Sequence, residues 1–456
     1  MKTEAAEQQY IQSHPKSKAL FEKAKGMFPD GVTHDGRMFS PFPLYIDRLK
    51  GSRKWCVDGH EYICYTTGHG SAILGHSHPA VVEAVQQQVA MGSHGNGSTA
   101  LEVELAELIL QLYPAAEKLR YTSSGTEANM MALRLARAYT DRPKVVKLEG
   151  NFHGWADSIF VGIDPPFDQP SAGLPPGFHE SVVTLPTNDV AALENALSGR
   201  DVAALIIEGA GAHMGSIPTS AEYAHAARDL CTKYGTVFII DEVVSGFRWA
   251  PGGWQEAIGV KPDLSTMAKI LMGAMPGGCV AGKADLLNVI QHTGDPQRDR
   301  YHRMPHPGTF NANPVSIAAG IACLKIIATG EPHRLANEAA EKLRRGMHSA
   351  IQERGISGAC YGDSSMFHVY LGDCDSDPTE YSKLPPATAA TLFKGGAGEA
   401  MSRLRKNLLF SGGVDTWLRI GICSMAHNDE DVEQTLEAFS NGLDTIIEDG
   451  VAPLRT

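Results

Sequence analysis

Two charged residues in apolar surroundings are the strongest candidates for chemistry in this sequence. Lys269 is the only cation between Leu264 and Gly273, in a run of apolar and small residues. Burial there lowers the pKa of an amine, and the neutral amine is the form that attacks a carbonyl. Asp241 ends the apolar run Val237–Ile240, where the carboxyl end of a strand is expected. Each residue also has an ordinary interpretation, since lysines extend to solvent and aspartates cap helices.

A second group of residues is typical of anion binding. The segment Ser123–Asn129 leads into an apolar-periodic helix, so hydroxyls, a small glycine and free N–H groups meet at a helix N-terminus. Ser124 and Glu127 also have the spacing of a capping box, which needs no ligand. Glu208 follows the apolar run Ala204–Ile207 at another expected strand end, where a binding role and a cap are again alternatives.

Two loops add further candidates. Phe152 and His153 follow a predicted strand and offer a flat aromatic face beside an imidazole, which suits either a planar cofactor or simple packing. The segment Gly308–Pro314 places the hydroxyl of Thr309 ahead of a helix, for an anion contact or a helix cap. The two histidines of Gly75–Pro79 have no third ligand nearby, so we expect a structural loop and no metal.

The elements that must position these residues alternate between strand and helix. Strand-length apolar runs occur at Val145–Leu148, Ala203–Ile207 and Thr236–Ile240. A helix is predicted over Ala221–Tyr234, with Gly235 ending it. This alternation predicts a mostly parallel sheet covered on both faces. After Pro314 the pattern changes to helices followed by separate strands at Met366–Leu371 and Trp417–Cys423, which indicates a second domain of α+β type. The segment Asp373–Pro386 is typical of a mobile loop or linker.

The composition excludes several classes of protein. Of 456 residues 43% are apolar, and 40 Lys and Arg against 52 Asp and Glu give a formal charge of −12. The acidic balance disfavours nucleic acid as a partner, and no apolar run reaches the ~18 residues of a membrane span. Eight cysteines without a Cys-x-x-Cys pair predict reduced thiols, and the polar residues 1–14 predict neither a signal peptide nor an anchor. We expect a cytoplasmic globular protein with no membrane partner.

The candidates together match one ligand. A phosphate cradle, an aromatic plate, a strand-end aspartate and, 28 residues later, a buried lysine suit pyridoxal 5'-phosphate. Its phosphate needs N–H donors, its ring needs stacking, its pyridine nitrogen needs a carboxylate, and its aldehyde needs an amine for a Schiff base. The motifs of serine hydrolases, P-loop proteins and simple dinucleotide-binding proteins are absent from the sequence.

The sequence also resembles the class III (ω-type) pyridoxal-phosphate aminotransferases of fold type I, and within them the group around glutamate-1-semialdehyde aminomutase. The resemblance covers nearly the whole chain and rests on Ser124–Ala128, Phe152–Gly154, Asp241–Val243 with Gly246–Arg248, Lys269 after Thr266–Ala268, and Gly308–Pro314. It implies a large domain over residues 66–314, with a seven-stranded and mostly parallel sheet. It also implies a smaller α+β domain formed by residues 1–65 and 315–456.

The resemblance implies roles for residues that the spacing alone leaves open. Lys269 forms the Schiff base and moves the proton, and Asp241 pairs with the pyridinium nitrogen. The residues that hold the phosphate are Ser124, Gly125 and Thr126. Phe152 stacks on the ring, and further cofactor contacts come from His153 and from Glu208, which glycine follows here instead of the family's proline. Thr309 reaches the phosphate of the other subunit, so a homodimer with shared sites is expected.

The substrate is less well defined by these residues. Arg37 falls where the aminomutase-like group places an arginine for a substrate carboxylate, and Arg419 is an alternative. His69 stands where an aromatic residue is expected. The first hypothesis is a ping-pong aminotransferase that uses a small amino donor and a carbonyl acceptor. The alternatives are an intramolecular aminomutase, a decarboxylase or racemase with the same cofactor, and a binding protein without catalysis.

Overall fold

The computed structural model describes residues 2–169, 171–373, 396 and 398–455. Its strands are β1 (Ile46–Lys50), β2 (Arg53–Cys56), β3 (Glu61–Cys64), β4 (Lys118–Thr122), β5 (Lys144–Leu148), β6 (Val182–Leu185), β7 (Val202–Glu208), β8 (Ile217–Pro218), β9 (Val237–Glu242), β10 (Leu264–Ala268), β11 (Gly278–Gly282), β12 (Gly358–Tyr361), β13 (Met366–Leu371), β14 (Val414–Asp415) and β15 (Ile420–Ile422). The loop predicted at Asp373–Pro386 lies outside the described residues, except for Asp373.

The largest sheet has seven strands in the order β4-β11-β10-β9-β7-β5-β6. Strands β10, β9, β7, β5 and β6 are parallel, and β11 is antiparallel to both of its neighbours. Every residue of β7, β9 and β10 is buried, as expected for strands covered on both faces. The predicted α/β fold with a seven-stranded, mostly parallel sheet is confirmed.

Helices cover both faces of this sheet. The longer helices are Lys2–Ser13, Pro15–Ala24, Pro79–Met91, Ala100–Leu112, Gly125–Thr140, Val190–Ser198, Ala221–Tyr234, Pro314–Ile327, Glu331–Glu353, Gly398–Phe410 and Asp429–Glu448. The helix Gly125–Thr140 shares a core with the side chains on one face, and Val190–Ser198 and Ala221–Tyr234 share a core with those on the other. Ala221–Tyr234 has the predicted bounds, and Gly235 ends it with a φ of 67°.

Segments from the two ends of the chain meet in a separate pair of sheets. The parallel pairing of β14 with β3 completes a four-stranded sheet, and β12, β13 and β15 form a three-stranded one. The helix Pro314–Ile327 packs beside the large sheet, in a core that also contains Leu105 and Leu271. The domain boundaries drawn from the sequence, at residues 65 and 314, stay a prediction.

Several features differ from the sequence patterns or lie outside them. The polar N-terminal residues form the helix Lys2–Ser13, because Tyr10 is buried against Phe21 and Phe42. The strand predicted at Trp417–Cys423 is shorter, since β15 has three residues. Within the described ranges no single helix is long and apolar enough to cross a membrane, and Pro314–Ile327 with Glu331–Glu353 passes the test of length and composition only as a pair bent by 73°.

Candidate active site

The site is built on a row of polar side chains at the ends of three neighbouring strands. The register places Glu208 of β7 opposite Asp241 of β9, and Asp241 opposite Thr266 of β10. Because paired residues of adjacent strands point to the same face, these three side chains lie on the face covered by the helix Gly125–Thr140. The fold therefore brings two of the predicted residues, Glu208 and Asp241, side by side.

Asp241 is held by hydrogen bonds from three directions. Its Oδ2 accepts from Asn129 Nδ2 at 2.7 Å and from His153 Nδ1 at 2.8 Å, and its Oδ1 accepts from the backbone N–H of Val243 at 2.9 Å. Asn129 is fixed in turn, since its Oδ1 accepts from Thr266 Oγ1 at 2.6 Å. We call Asn129, His153, Asp241 and Thr266 the Asp241 cluster. It orients the carboxylate and leaves Oδ1 with acceptor capacity for a further donor.

His153 supports the carboxylate as a neutral group. Its ring is buried, and burial is the largest effect on its pKa, which lies below the ordinary value although Asp241 opposes the shift. A neutral imidazole that donates from Nδ1 has its other ring nitrogen free to accept. Within the described residues, His153 Nε2 is buried and has no hydrogen-bond partner.

Lys269 follows β10 directly, at the start of a short 3-10 turn. Burial lowers the pKa of its amine, and the charges of Asp241 and Glu208 act against that shift. In the part of the chain that the structure describes, the amine has no hydrogen bond or ion pair. Its backbone has a φ of 51°, a left-handed conformation that costs a residue with a side chain about 1 kcal/mol or more. A reactive, unpaired amine is therefore held at a strained turn beside the two acids.

The predicted phosphate segment is the first turn of a helix. Ser124 caps the helix Gly125–Thr140, its Oγ accepting from Glu127 N at 3.2 Å, so the capping interpretation holds for that hydroxyl. The N–H groups of Gly125 and Thr126 precede the first N–H that bonds within the helix, that of Ala128 to the Ser124 carbonyl, and are available to an anion. A Cβ at Gly125 would lie 2.9 Å from both methyl carbons of Val243, so any larger residue there would force Val243 to move.

The aromatic loop packs against that helix start and against Glu208. Phe152 is half exposed, and its backbone N–H donates to Glu208 Oε1 at 2.6 Å. A Cβ at Gly154 would lie 2.5 Å from Thr126 Oγ1, so the loop and the phosphate segment are in close contact. Burial raises the pKa of Glu208 to about 8. The loop that carries Phe152 thus lies between the first helical turn and Glu208.

The glycines that follow Glu208 have a packing reason. A Cβ at Gly209 would lie 2.2 Å from Ser245 Oγ, and one at Gly211 would lie 2.2 Å from the carbonyl oxygen of Ile217. The backbone N–H of Gly209 also donates to the carbonyl of Asp241 at 2.9 Å, a bond that proline cannot make. This departure from the family pattern therefore leaves Glu208 in place beside Asp241.

The candidate substrate residues lie in a more open region. His34 and His69 have ring centroids 4.9 Å apart, and His69 is 5.2 Å from Trp417. We call His34, Arg37 and His69 the His69 cluster. Arg37 is exposed and donates to Thr33 Oγ1 at 2.6 Å. Burial, and then the charges of His34, Lys269 and Arg37, lower the pKa of His69 to about 4.

The remaining predicted residues lie apart from these clusters. Thr309 is exposed, and Asn311 of its loop accepts from Ser123 Oγ at 3.4 Å. Arg419 precedes β15. Burial is the main cause of the lowered pKa of His213 and of His368, and the charge of Arg419 adds to it. The hydrogen bonds of the Asp241 cluster described above involve neither Thr309 nor Arg419.

Spacing alone did not single out the residues that orient the acid. Asn129 and Thr266 come from a helix and a strand far apart in the chain, yet they meet at Asp241. A signal for Asn129 was present, because it is a polar residue among the buried positions of an apolar helix face. These residues fit pyridoxal phosphate, which needs an acceptor at its ring nitrogen, an unpaired amine, helix-terminal N–H groups and an aromatic surface.

Comparison with known proteins agrees with this chemistry. Residues 36–367 match the class-III aminotransferase family. The chain belongs to this family. Glutamate-1-semialdehyde 2,1-aminomutase of Methanopyrus kandleri is 35% identical to this class-III member over an alignment of 448 residues, gaps included, that covers 96% of this chain and 99% of the relative.

Solved structures support the same assignment. An omega-transaminase from Sphaerobacter thermophilus has a TM-score of 0.85 and 32% identity, covering 95% of this chain and 99% of that one. A transaminase with pyridoxal phosphate bound has a TM-score of 0.84 and 32% identity, covering 96% and 99%. The predicted family and the predicted cofactor, pyridoxal 5'-phosphate, are confirmed.

Proposed function

We propose that this class-III family member uses Lys269 and Asp241 to move an amino group on a small carboxylate-bearing substrate. The observation that carries the proposal is the partly buried Lys269, whose unpaired amine has a lowered pKa, near an aspartate fixed by Asn129 and His153. Bound pyridoxal phosphate supplies a carbonyl that condenses with amines and a ring that accepts electron density. Lys269 Nζ holds the cofactor and then takes and returns the proton of the substrate carbon. Asp241 would accept a hydrogen bond from the protonated ring nitrogen and so would keep the ring an acceptor of electron density.

The other predicted residues position the cofactor in this proposal. The N–H groups of Gly125 and Thr126 and the Ser124 region bind the phosphate, and Phe152 covers one ring face. His153 and Glu208 act indirectly. His153 orients Asp241 through a hydrogen bond, and Glu208 holds the loop in place by accepting from the N–H of Phe152. The guanidinium of Arg37 binds a substrate carboxylate through two parallel hydrogen bonds.

The first candidate reaction is intramolecular transfer of the amino group between neighbouring carbons, as in a 2,1-aminomutase. Support comes from the name of the Methanopyrus kandleri relative, which matches nearly the whole chain. The second candidate is the ping-pong transaminase, with separate amino donor and carbonyl acceptor. Support for it comes from the Sphaerobacter thermophilus omega-transaminase, which has the same fold at 32% identity.

Visible absorption of the cofactor-loaded protein separates the two candidates. Single amino compounds are added without an acceptor, and released carbonyl products are measured. An aminomutase converts an amino-aldehyde such as glutamate-1-semialdehyde with no acceptor and does not release a keto product. A transaminase loses its visible band with one class of amine and releases one equivalent of carbonyl product. A protein that takes up no pyridoxal phosphate contradicts both candidates.

A homodimer with shared sites and a cytoplasmic location belong to the same proposal. Support for the dimer is the exposed position of Thr309, whose hydroxyl is available to a second subunit's phosphate. Mixing inactive Lys269→Ala subunits with Thr309→Ala subunits tests it. Mixed dimers regain one intact site if the two residues act in trans, and they gain nothing if each subunit is complete by itself.

A further inference from the structure

A second buried lysine lies on the same face of the sheet as the two acids. Lys147 of β5 is fully buried, and the register pairs it with Ile206, two residues before Glu208 on β7. The reaction proposed above does not use this lysine. Burial lowers the pKa of its amine to about 7, with the charge of Glu208 opposing the shift.

The amine of Lys147 is held by backbone carbonyls instead of a carboxylate. Its Nζ donates to the carbonyl oxygen of Asn151 at 2.6 Å and to that of Val161 at 2.6 Å. The backbone N–H of Gly150 donates to the carbonyl of Gly162 at 2.8 Å, next to these bonds. Lys147 therefore joins the two ends of the loop 151–161, which leaves the sheet and returns to it.

This loop carries the side chains that the cofactor site needs. Asn151 Oδ1 accepts from the backbone N–H of Glu208 at 2.7 Å, and the next residue, Phe152, donates its N–H to Glu208 Oε1. His153 then reaches Asp241, and its carbonyl accepts from Asn129 Nδ2 at 3.1 Å. The start of the loop is thus fixed by Lys147 from β5 and by the two acids from β7 and β9.

A lysine here is costly, because an amine loses its hydration on burial. The residues on either side of it in β5, Val146 and Leu148, are apolar, and a methionine has a similar length. We propose that Lys147 is a positioning residue of the cofactor site, which holds the loop 151–161 so that Phe152 and His153 stay beside Glu208 and Asp241. This inference rests on the proposed function, because it assigns the loop to the cofactor.

The test compares Lys147→Met and Lys147→Gln with the matched core variant Val146→Ala, which weakens the same strand from the opposite face of the sheet, in a core that contains no residue of the loop. Three properties are measured: the Kd for pyridoxal phosphate, the circular dichroism of the bound cofactor, and hydrogen exchange of backbone amides in 150–162. In Lys147→Met the Kd rises about tenfold, the cofactor's dichroic band weakens, and exchange in this loop accelerates. Lys147→Gln keeps N–H donors on a shorter side chain. Its Kd, dichroic band and exchange rate should therefore lie between those of the unaltered protein and those of Lys147→Met. Val146→Ala lowers the Tm and leaves the Kd within about twofold.

Two results overturn the inference. One is an unchanged Kd and dichroic band in whichever Lys147 variant folds. The other is failure of both variants to fold, which makes Lys147 a requirement of the core instead of the site. Neither result is confused with failure of the proposed function, because in that case the unaltered protein itself does not bind pyridoxal phosphate.

Discussion

The side chains of Asp241 and Arg37 lie in two contrasting regions. The surroundings of Asp241 fix its carboxylate in place, and those of Arg37 fix its guanidinium much less. Three hydrogen bonds reach the Asp241 carboxylate, which is 4% exposed, whereas Arg37 is exposed and donates to the hydroxyl of Thr33. The Asp241 cluster is therefore set before any ligand binds. In the His69 cluster, burial and then the charges of His34, Lys269 and Arg37 lower the pKa of His69, and the buried Nε2 of that ring has no partner among the described residues.

This difference separates two tasks. Electrostatic help for a reaction is greatest where dipoles and charges are oriented in advance, because they then cost no reorganisation. Recognition of an anionic substrate needs cations and donors that are still free. The Asp241 cluster suits the first task and the His69 cluster suits the second. Changes in the buried cluster should therefore reduce kcat or cofactor binding, and changes in the open one should raise KM.

The largest expected effect comes from Lys269→Ala. The variant keeps the fold and still takes up pyridoxal phosphate, and its turnover falls about 10³-fold or more because the amine and the proton carrier are both lost. Steady-state rates with a substrate found by absorption screening measure this loss. Lys261→Ala, at an exposed lysine, serves as the control and keeps its rate. Near-normal turnover in Lys269→Ala would show that Lys269 is not the residue that holds the cofactor and moves the proton.

The second effect concerns stability and comes from Glu208→Gln. Glu208 has its folded pKa raised from the ordinary 4.5 to about 8, so its contribution to stability is complete below pH 4.5 and is lost as the pH rises toward 8. Glutamine keeps an acceptor for Phe152 N and does not titrate. The stability of the unaltered protein relative to the variant therefore falls by about 3 kcal/mol between pH 4.5 and pH 7.

Urea unfolding of both cofactor-free proteins across this range measures the difference. Keeping below pH 7 avoids the titration of Lys147, whose pKa is lowered to about 7 and which acts with the opposite sign above that value. A difference between the two proteins that does not change with pH would show that Glu208 does not retain its proton in the folded state.

Asp241→Asn gives the third effect. The amide carries no charge for the ring nitrogen, so we expect kcat and cofactor affinity to fall roughly 10–100-fold, the value of a hydrogen bond between charged groups. Glu242→Gln is the matched control, because this next acid is bonded instead to Gln255 and Trp254 of another segment. Equal losses of kcat and cofactor affinity in both variants would show that the effect comes from altered folding and not from a lost contact with the ring nitrogen.

The sequence predicted the lysine, the acids and the sheet more readily than it predicted their partners. Lys269 and Asp241 stand out because a charge in an apolar run is visible locally, and the parallel strands follow from their apolar runs. Asn129 could not be assigned to Asp241, since 112 residues separate the two. Lys147 was also missed, because one polar residue in a short strand usually indicates an exposed face, and its two acceptors are backbone carbonyls that no side-chain pattern marks.

The smallest effect is expected at the open region, from Arg37→Gln. The loss of a charged, two-point contact raises KM for a carboxylate-bearing substrate about tenfold while kcat changes little, because the contact forms equally in the ground and transition states. The same variant is assayed with an amine that lacks the carboxylate, for which KM should not change. If KM rises for both substrates, Arg37 shapes the region instead of binding the carboxylate. If kcat falls instead, the open region takes part in orienting the reacting carbon, and the division between the two clusters is wrong.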